Sequence, residues 1–121
     1  HARRFVLGVP MYGLDWARGG GEDGGGARGA SGQAGESSGE ASAYQYAGTL
    51  ELARAVGATP ARDRTADEMT FAYTRDGVHH TVWYLDASAV AARLRVGRDA
   101  GLAVGVWRLG SEDQSLWSSL P

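Results

Sequence analysis

Proton transfer, nucleophilic attack and metal binding each demand particular side chains at particular spacings, and this sequence offers few. Fourteen Asp and Glu residues are available. A carboxylic acid that protonates a leaving oxygen near neutral pH needs an apolar setting that raises its pKa, and no carboxylate here stands in one. Glu112 and Asp113 come nearest, because they directly follow a strand-like apolar run, at the strand end where barrel enzymes hold their sites. The plainer reading is that the same pair caps the short final segment, residues 114–120. His79 and His80 are neighbours in a strand-like run, where adjacent side chains point to opposite faces, so they cannot share one metal ion. With no Cys and only His1 besides, no zinc shell can be completed. No Gly-x-Ser-x-Gly elbow accompanies them, which removes the common form of Ser/His/Asp catalysis.

The glycine runs Gly19-Gly20-Gly21 and Gly24-Gly25-Gly26 follow a strand-like segment. A phosphate cradle requires a helix directly after such a turn, and none begins for about twenty residues. The aromatic inventory is richer: Tyr12, Trp16, Trp83, Trp107 and Trp117. Such rings stack on sugar faces, and Trp107 at the end of an apolar strand could floor a pocket. All of them would fill a core equally well.

These residues need elements to position them. Residues 5–9, Phe-Val-Leu-Gly-Val, form a continuous apolar run closed by Pro10, the pattern of a strand covered on both faces, and residues 11–16 continue it. Residues 19–40 change to Gly, Ser, Ala, Gln and Glu without a large apolar side chain, a composition that predicts a flexible loop. Thr49 is placed to cap a helix through Val56, with Gly57 to stop it. Residues 69–74 and 78–86 read as strands joined by Arg75-Asp76-Gly77, a strong hairpin signal. Asp86 or Ser88 caps a helix to about Ala100, ended by Gly101, and residues 102–109 form another covered strand. Strand, helix, strand predicts a right-handed parallel crossover.

The chain has 121 residues, too few for a complete eight-stranded α/β barrel of about 250. Its formal net charge of −2 leaves no basic field for nucleic acid. Lys, Asn and Ile are absent, the mark of a high-GC coding bias, so the arginines alone do not signal phosphate recognition. Without cysteine there are no disulfides, although an extracellular location stays open. No apolar run reaches the length of a membrane span, and the first ten residues lack a signal-peptide layout. His1 stands where an initiator Met would, so the chain is expected to be part of a longer protein.

Three segments together resemble a known family. Residues 5–16 (Phe-Val-Leu-Gly-Val-Pro-Met-Tyr-Gly-Leu-Asp-Trp), 81–87 (Thr-Val-Trp-Tyr-Leu-Asp-Ala) and 105–113 (Gly-Val-Trp-Arg-Leu-Gly-Ser-Glu-Asp) are similar to the last quarter of family-18 glycoside hydrolases, above all to bacterial cell-wall and spore-associated members. The resemblance implies an α+β chain: the last two strands of a (β/α)₈ barrel with their intervening helix, and a chitinase-type α+β insertion domain containing an antiparallel sheet. It places the barrel strand-seven region at residues 1–16, the insertion at 17–85, and the last helix, strand eight and C-terminal segment at 86–121.

That family cleaves links beside N-acetylated sugars with retention. A glutamic acid protonates the leaving oxygen and the substrate's own acetamido group attacks. The Asp-x-x-Asp-x-Asp-x-Glu motif that carries the acid is absent here, so no catalytic residue, metal or cofactor is expected in this chain, and the chain alone should be inactive. The resemblance assigns sugar contacts to Trp107 and Tyr12, and fits Asp15 and Trp16 to the envelope-associated members. Leu14 replaces an Arg common in chitinases. The implied parent is a hydrolase of peptidoglycan, chitin or a related exported glycan, at the cell envelope or outside it. The alternatives are a non-catalytic carbohydrate-binding module and a protein-interaction domain. Unpartnered barrel strands further imply self-association of the isolated chain.

Overall fold

The computed structural model describes residues 5–18 and 41–120. The loop expected at residues 19–40 lies outside them. In chain order the elements are β1 (Val6–Pro10), β2 (Tyr12–Arg18), β3 (Ala41–Gln45), α1 (Tyr46–Ala55), β4 (Ala61–Asp63), β5 (Glu68–Arg75), β6 (Val78–Tyr84), α2 (Ala87–Asp99), β7 (Ala103–Trp107) and α3 (Leu116–Ser119). They form two sheets. β1 and β7 pair in parallel from Val6 opposite Ala103 to Pro10 opposite Trp107. The other five strands form an antiparallel sheet in the order β3-β2-β6-β5-β4. The class is therefore α+β with an antiparallel sheet like that of a chitinase-type insertion; two parallel strands make no barrel by themselves.

The chain passes from one sheet to the other at Met11, which is buried and donates its backbone N–H to the Trp107 carbonyl at 2.6 Å. β2 is the second strand of the five-stranded sheet. The apolar run through residues 5–16 is thus two strands in two sheets.

Each sheet is covered on one face. Val9, Met11, Leu85, Ala89, Val90 and Leu116 form one buried cluster, with Leu7, Val104 and Val106 packed against it under α2. Alternation along β1 and β7 leaves Val6, Gly8, Gly105 and Trp107 on the other face, which no other described element covers. Among the described residues one helical layer lies against these strands. The crossover is corrected. β6 and β7 belong to different sheets, and the parallel partner of β7 is β1.

The second cluster, Leu52, Ala53, Phe71, Tyr73, Val82 and Tyr84, lies between α1 and the five-stranded sheet. α1 approaches β2 closely at Gly13, where an added Cβ would stand 2.7 Å from the Thr49 hydroxyl oxygen. Thr49 is inside α1 rather than at its cap. The helix starts earlier because Tyr46 N–H donates to the Ser111 carbonyl at 2.9 Å, while the Thr49 hydroxyl donates back to the Gln45 carbonyl at 3.1 Å. The hairpin is as expected, with Asp76 and Gly77 both at positive φ in a two-residue turn. Asp86 caps α2 by accepting from Ala89 N–H at 2.9 Å. Among the described residues no helix is long and apolar enough to cross a membrane.

Candidate functional site

Strand alternation sorts the candidate residues onto two faces. On β2, Gly13 and Asp15 face α1 and the buried cluster, whereas Tyr12, Leu14 and Trp16 face the other way, with Trp83 opposite Leu14 and Thr81 opposite Trp16. On β7, Val104 and Val106 face α2, and Trp107 stands on the uncovered face, 69% exposed. The Trp107–Arg108 peptide is cis. Because the chain changes sheets at Met11, the end of β7 and the start of β2 lie side by side.

There Tyr12, Leu14, Tyr44, Gln45, Trp107 and Arg108 line a hollow of about 420 Å³ that opens to solvent. Tyr12 and Trp107 thus share one site. Trp16 is half-exposed further along β2, outside that lining but on the same uncovered sheet face. A second hollow, of about 540 Å³, lies at the start of α2 between Asp86, Ser88, Arg95 and Asp113. It presents no aromatic ring for a sugar to stack on.

Asp15 is turned away from the hollow. It is 5% exposed and accepts hydrogen bonds from the Tyr73 hydroxyl at 2.5 Å and from His80 Nδ1 at 2.9 Å, with the His80 proton assigned to that nitrogen. The Tyr73 and His80 rings stack at 4.4 Å. Burial pushes the Tyr73 phenol up to about 12, and the carboxylate it bonds adds to the shift. The adjacent histidines part as alternation requires: His80 lies in this network and His79 is exposed on the opposite face.

Glu112 and Asp113 end in the C-terminal turn. Glu112 is 7% exposed and accepts from Gly110 N–H at 2.6 Å, Trp117 Nε1 at 2.9 Å and Gln114 Nε2 at 3.0 Å. The Trp117 bond leads the causes that hold its carboxyl below the usual range, against a smaller upward push from burial. Burial pushes Asp113 up, but donors from Ala87 N–H at 3.0 Å and from Ser115 at 3.1 Å (N–H) and 2.7 Å (hydroxyl) outweigh it and leave its pKa lowered. A carboxylate with a lowered pKa and filled acceptor sites is a poor general acid. Glu112 ties the loop after β7 to α3 through the Trp117 side chain, and Asp113 ties it to the start of α2 through Ala87 N–H; neither side chain caps α3.

Tyr44, Gln45 and Arg108 line the hollow without having been singled out from sequence. Arg108 had a signal, its position next to Trp107. Tyr44 and Gln45 lie in a stretch with no apolar alternation, and only the pairing of β3 with β2 brings them there. Among the described residues no group of three or more His, Asp or Glu could hold a metal ion.

No family model matches the chain. A curated relative, the uncharacterized glycosylase YvbX of Bacillus subtilis strain 168, is 26% identical over 122 residues, which cover 98% of this chain and 30% of the relative. Among solved structures, a chitinase from Chromobacterium violaceum ATCC 12472 is 28% identical with a TM-score of 0.70, matching 97% of this chain and 32% of its own. The Bacillus cereus spore cortex-lytic enzyme SleL has a TM-score of 0.71 over 97% of this chain and 24% of its own, at 22% identity, a likeness of fold alone. Family-18 chitinases of Cycas revoluta share the fold as well. The resemblance drawn from the three sequence segments therefore stands: the chain is similar to family-18 chitinases and spore cortex-lytic enzymes over nearly its whole length. It spans a third or less of the proteins it matches.

Proposed function

We propose that this chain is the C-terminal part of a glycoside hydrolase acting on an N-acetylglucosamine-containing polysaccharide, and that the hollow between β2 and β7 is part of its sugar site. One observation carries the proposal. Tyr12 and Trp107, far apart in sequence, line one solvent-open hollow in which the tryptophan presents most of its surface. A ring left that exposed contributes little to folding but offers a flat apolar floor for a pyranose. In this proposal β1 and β7 are adjacent strands of the parent's barrel, further strands cover their open face, and the five-stranded sheet walls the groove with Trp16.

The catalytic acid belongs to a part of the parent outside this chain. The reaction is the substrate-assisted, retaining hydrolysis that the resemblance implies, at the cell envelope or outside the cell. The lining of the hollow contributes binding and orientation and, among the described residues, no carboxylate. That same feature favours the second reading, a carbohydrate-binding module without hydrolysis. The two separate on whether the parent keeps the strand-four glutamate.

Titration of the chain with chitobiose and chitotriose, followed by tryptophan fluorescence, tests the site. Stacking on an aromatic ring contributes about 1–3 kcal/mol, so Trp107→Ala is expected to weaken binding by about 5- to 150-fold with the fold intact. Unchanged affinity in a folded variant would refute the assignment. Incubation of the chain with chitooligosaccharides and purified peptidoglycan is expected to release no product; turnover lost on Glu112→Gln would refute the placement of the acid elsewhere.

A further inference from the structure

We infer that Arg108 makes this site selective for a glycan that carries a carboxylate beside the N-acetylated ring, over a neutral one. The inference rests on the proposal that the hollow binds sugar. Of the residues lining that hollow, Arg108 is the one that bears a charge, and it follows directly on the Trp107 ring. The carboxylates nearest in sequence are committed elsewhere: Glu112 to Gly110, Gln114 and Trp117, and Asp113 to Ala87 and Ser115. No described carboxylate lies within ion-pair distance of the Arg108 guanidinium.

Two of the other arginines, Arg62 and Arg93, are placed differently. Arg62 is bonded to Asp67 at 2.8 Å and to Asp86 at 2.5 Å, and Arg93 is bonded to Glu68 at 2.9 Å. Those guanidinium groups tie elements of the fold together, whereas Arg108 is exposed at the rim of an open hollow. A neutral chitin-type sugar offers it hydroxyl and amide oxygens, which water replaces at little cost. A carboxylate accepts from the planar guanidinium fork through two parallel charge-assisted bonds, roughly twice as strong as neutral ones. Two sugar classes present such a group: muramic acid, through its lactyl ether, and hexuronic acids.

Three disaccharides of similar size test this on the 121-residue chain at low ionic strength: chitobiose, N-acetylglucosaminyl-N-acetylmuramic acid, and glucuronyl-N-acetylglucosamine. At least one acidic sugar is expected to bind about tenfold more tightly than chitobiose, equivalent to about 1.4 kcal/mol. The preference should shrink with added salt. Arg108→Gln is expected to abolish the preference, read as the ratio of acidic-sugar to chitobiose affinity within each variant, and Arg108→Lys to retain part of it. Preference for both acidic sugars assigns the selectivity to charge, and preference for one assigns it to the carboxylate's position on the ring. Equal affinity for all three in the wild type, or a preference that survives Arg108→Gln, overturns the inference while leaving the sugar site in place. Failure of all three to bind overturns the sugar site and the inference together.

Discussion

Replacing Glu112 separates a carboxylate that does chemistry from one that holds structure. Its two oxygens collect three donors, Gly110 N–H at 2.6 Å, Trp117 Nε1 at 2.9 Å and Gln114 Nε2 at 3.0 Å, and the residue is 7% exposed. Hydrogen bonds to a charged group contribute about 1.5–3 kcal/mol each, but not additively, and the half-exposed Trp117 can turn to water once released. Glu112→Gln keeps one acceptor oxygen, loses the charge and sets an amide nitrogen against a donor, so about 2 kcal/mol is expected. Glu112→Ala removes every acceptor, for about 3 kcal/mol. At about 4 °C per kcal/mol for a chain of this size, these become Tm losses of about 8 and 12 °C.

The pH dependence has a fixed sign. The folded pKa is lowered, so the unfolded chain binds the proton more tightly. The stability from this group is present above the ordinary glutamate value and is lost as pH falls through the folded one. Differential scanning calorimetry of the wild type and both variants between pH 3 and 7 checks this, with the wild-type advantage narrowing at the acid end. The affinity for chitobiose should remain within about twofold in both variants. A Tm unchanged within about 1 °C, together with lost sugar affinity or lost turnover in the full-length parent, would refute the structural role.

Four further outcomes are expected. Asp15→Ala should lower stability by about 2–4 kcal/mol in denaturant titration, because it strips the acceptor from the Tyr73 hydroxyl and from His80 Nδ1, and it should leave sugar affinity unchanged. Gly97→Ala should destabilise by about 1–2 kcal/mol despite the better helix former, since its methyl group would press on Val104 and Leu7 where α2 meets β7 and β1. Ultraviolet titration should find two tyrosines, Tyr73 and Tyr84, ionising near 12. Burial raises both, so their contribution to stability is complete below the ordinary tyrosine value and is lost as pH rises through 12. Finally, β1 and β7 each keep one unpaired edge among the described residues, and Phe5, Val6, Trp107 and Leu109 are exposed. Light scattering over a concentration series should therefore show mass rising with concentration, and a constant monomer mass would contradict it.

Local chemistry is legible where it suffices to determine a conformation. Asp76-Gly77 marks a turn because both residues tolerate positive φ, and the flanking strands follow from it. α2 is bracketed by Asp86 at its start and Gly101, at φ 66, after its end, signals that act within a few residues. The three segments that resemble family-18 glycoside hydrolases could also be read from the residues alone, as could the opposite orientation of His79 and His80, which follows from the period of a strand.

Other features depend on partners distant in the chain. β3, Ala-Ser-Ala-Tyr-Gln, carries no apolar alternation and exists as a strand because β2 offers it a ladder of hydrogen bonds. The start of α1 is moved upstream of Thr49 by the carbonyl of Ser111. Pro10 closes the run of residues 5–9, but it does not show that the next strand joins another sheet, because burial under α2 and pairing in the five-stranded sheet both select apolar side chains. The change of sheet at Met11 brings the start of β2 beside the end of β7 and so creates the hollow shared by Tyr12 and Trp107. Its position is decided by the register of β1 on β7 and of β2 on β3, long-range pairings whose free energy appears only once both strands are in place.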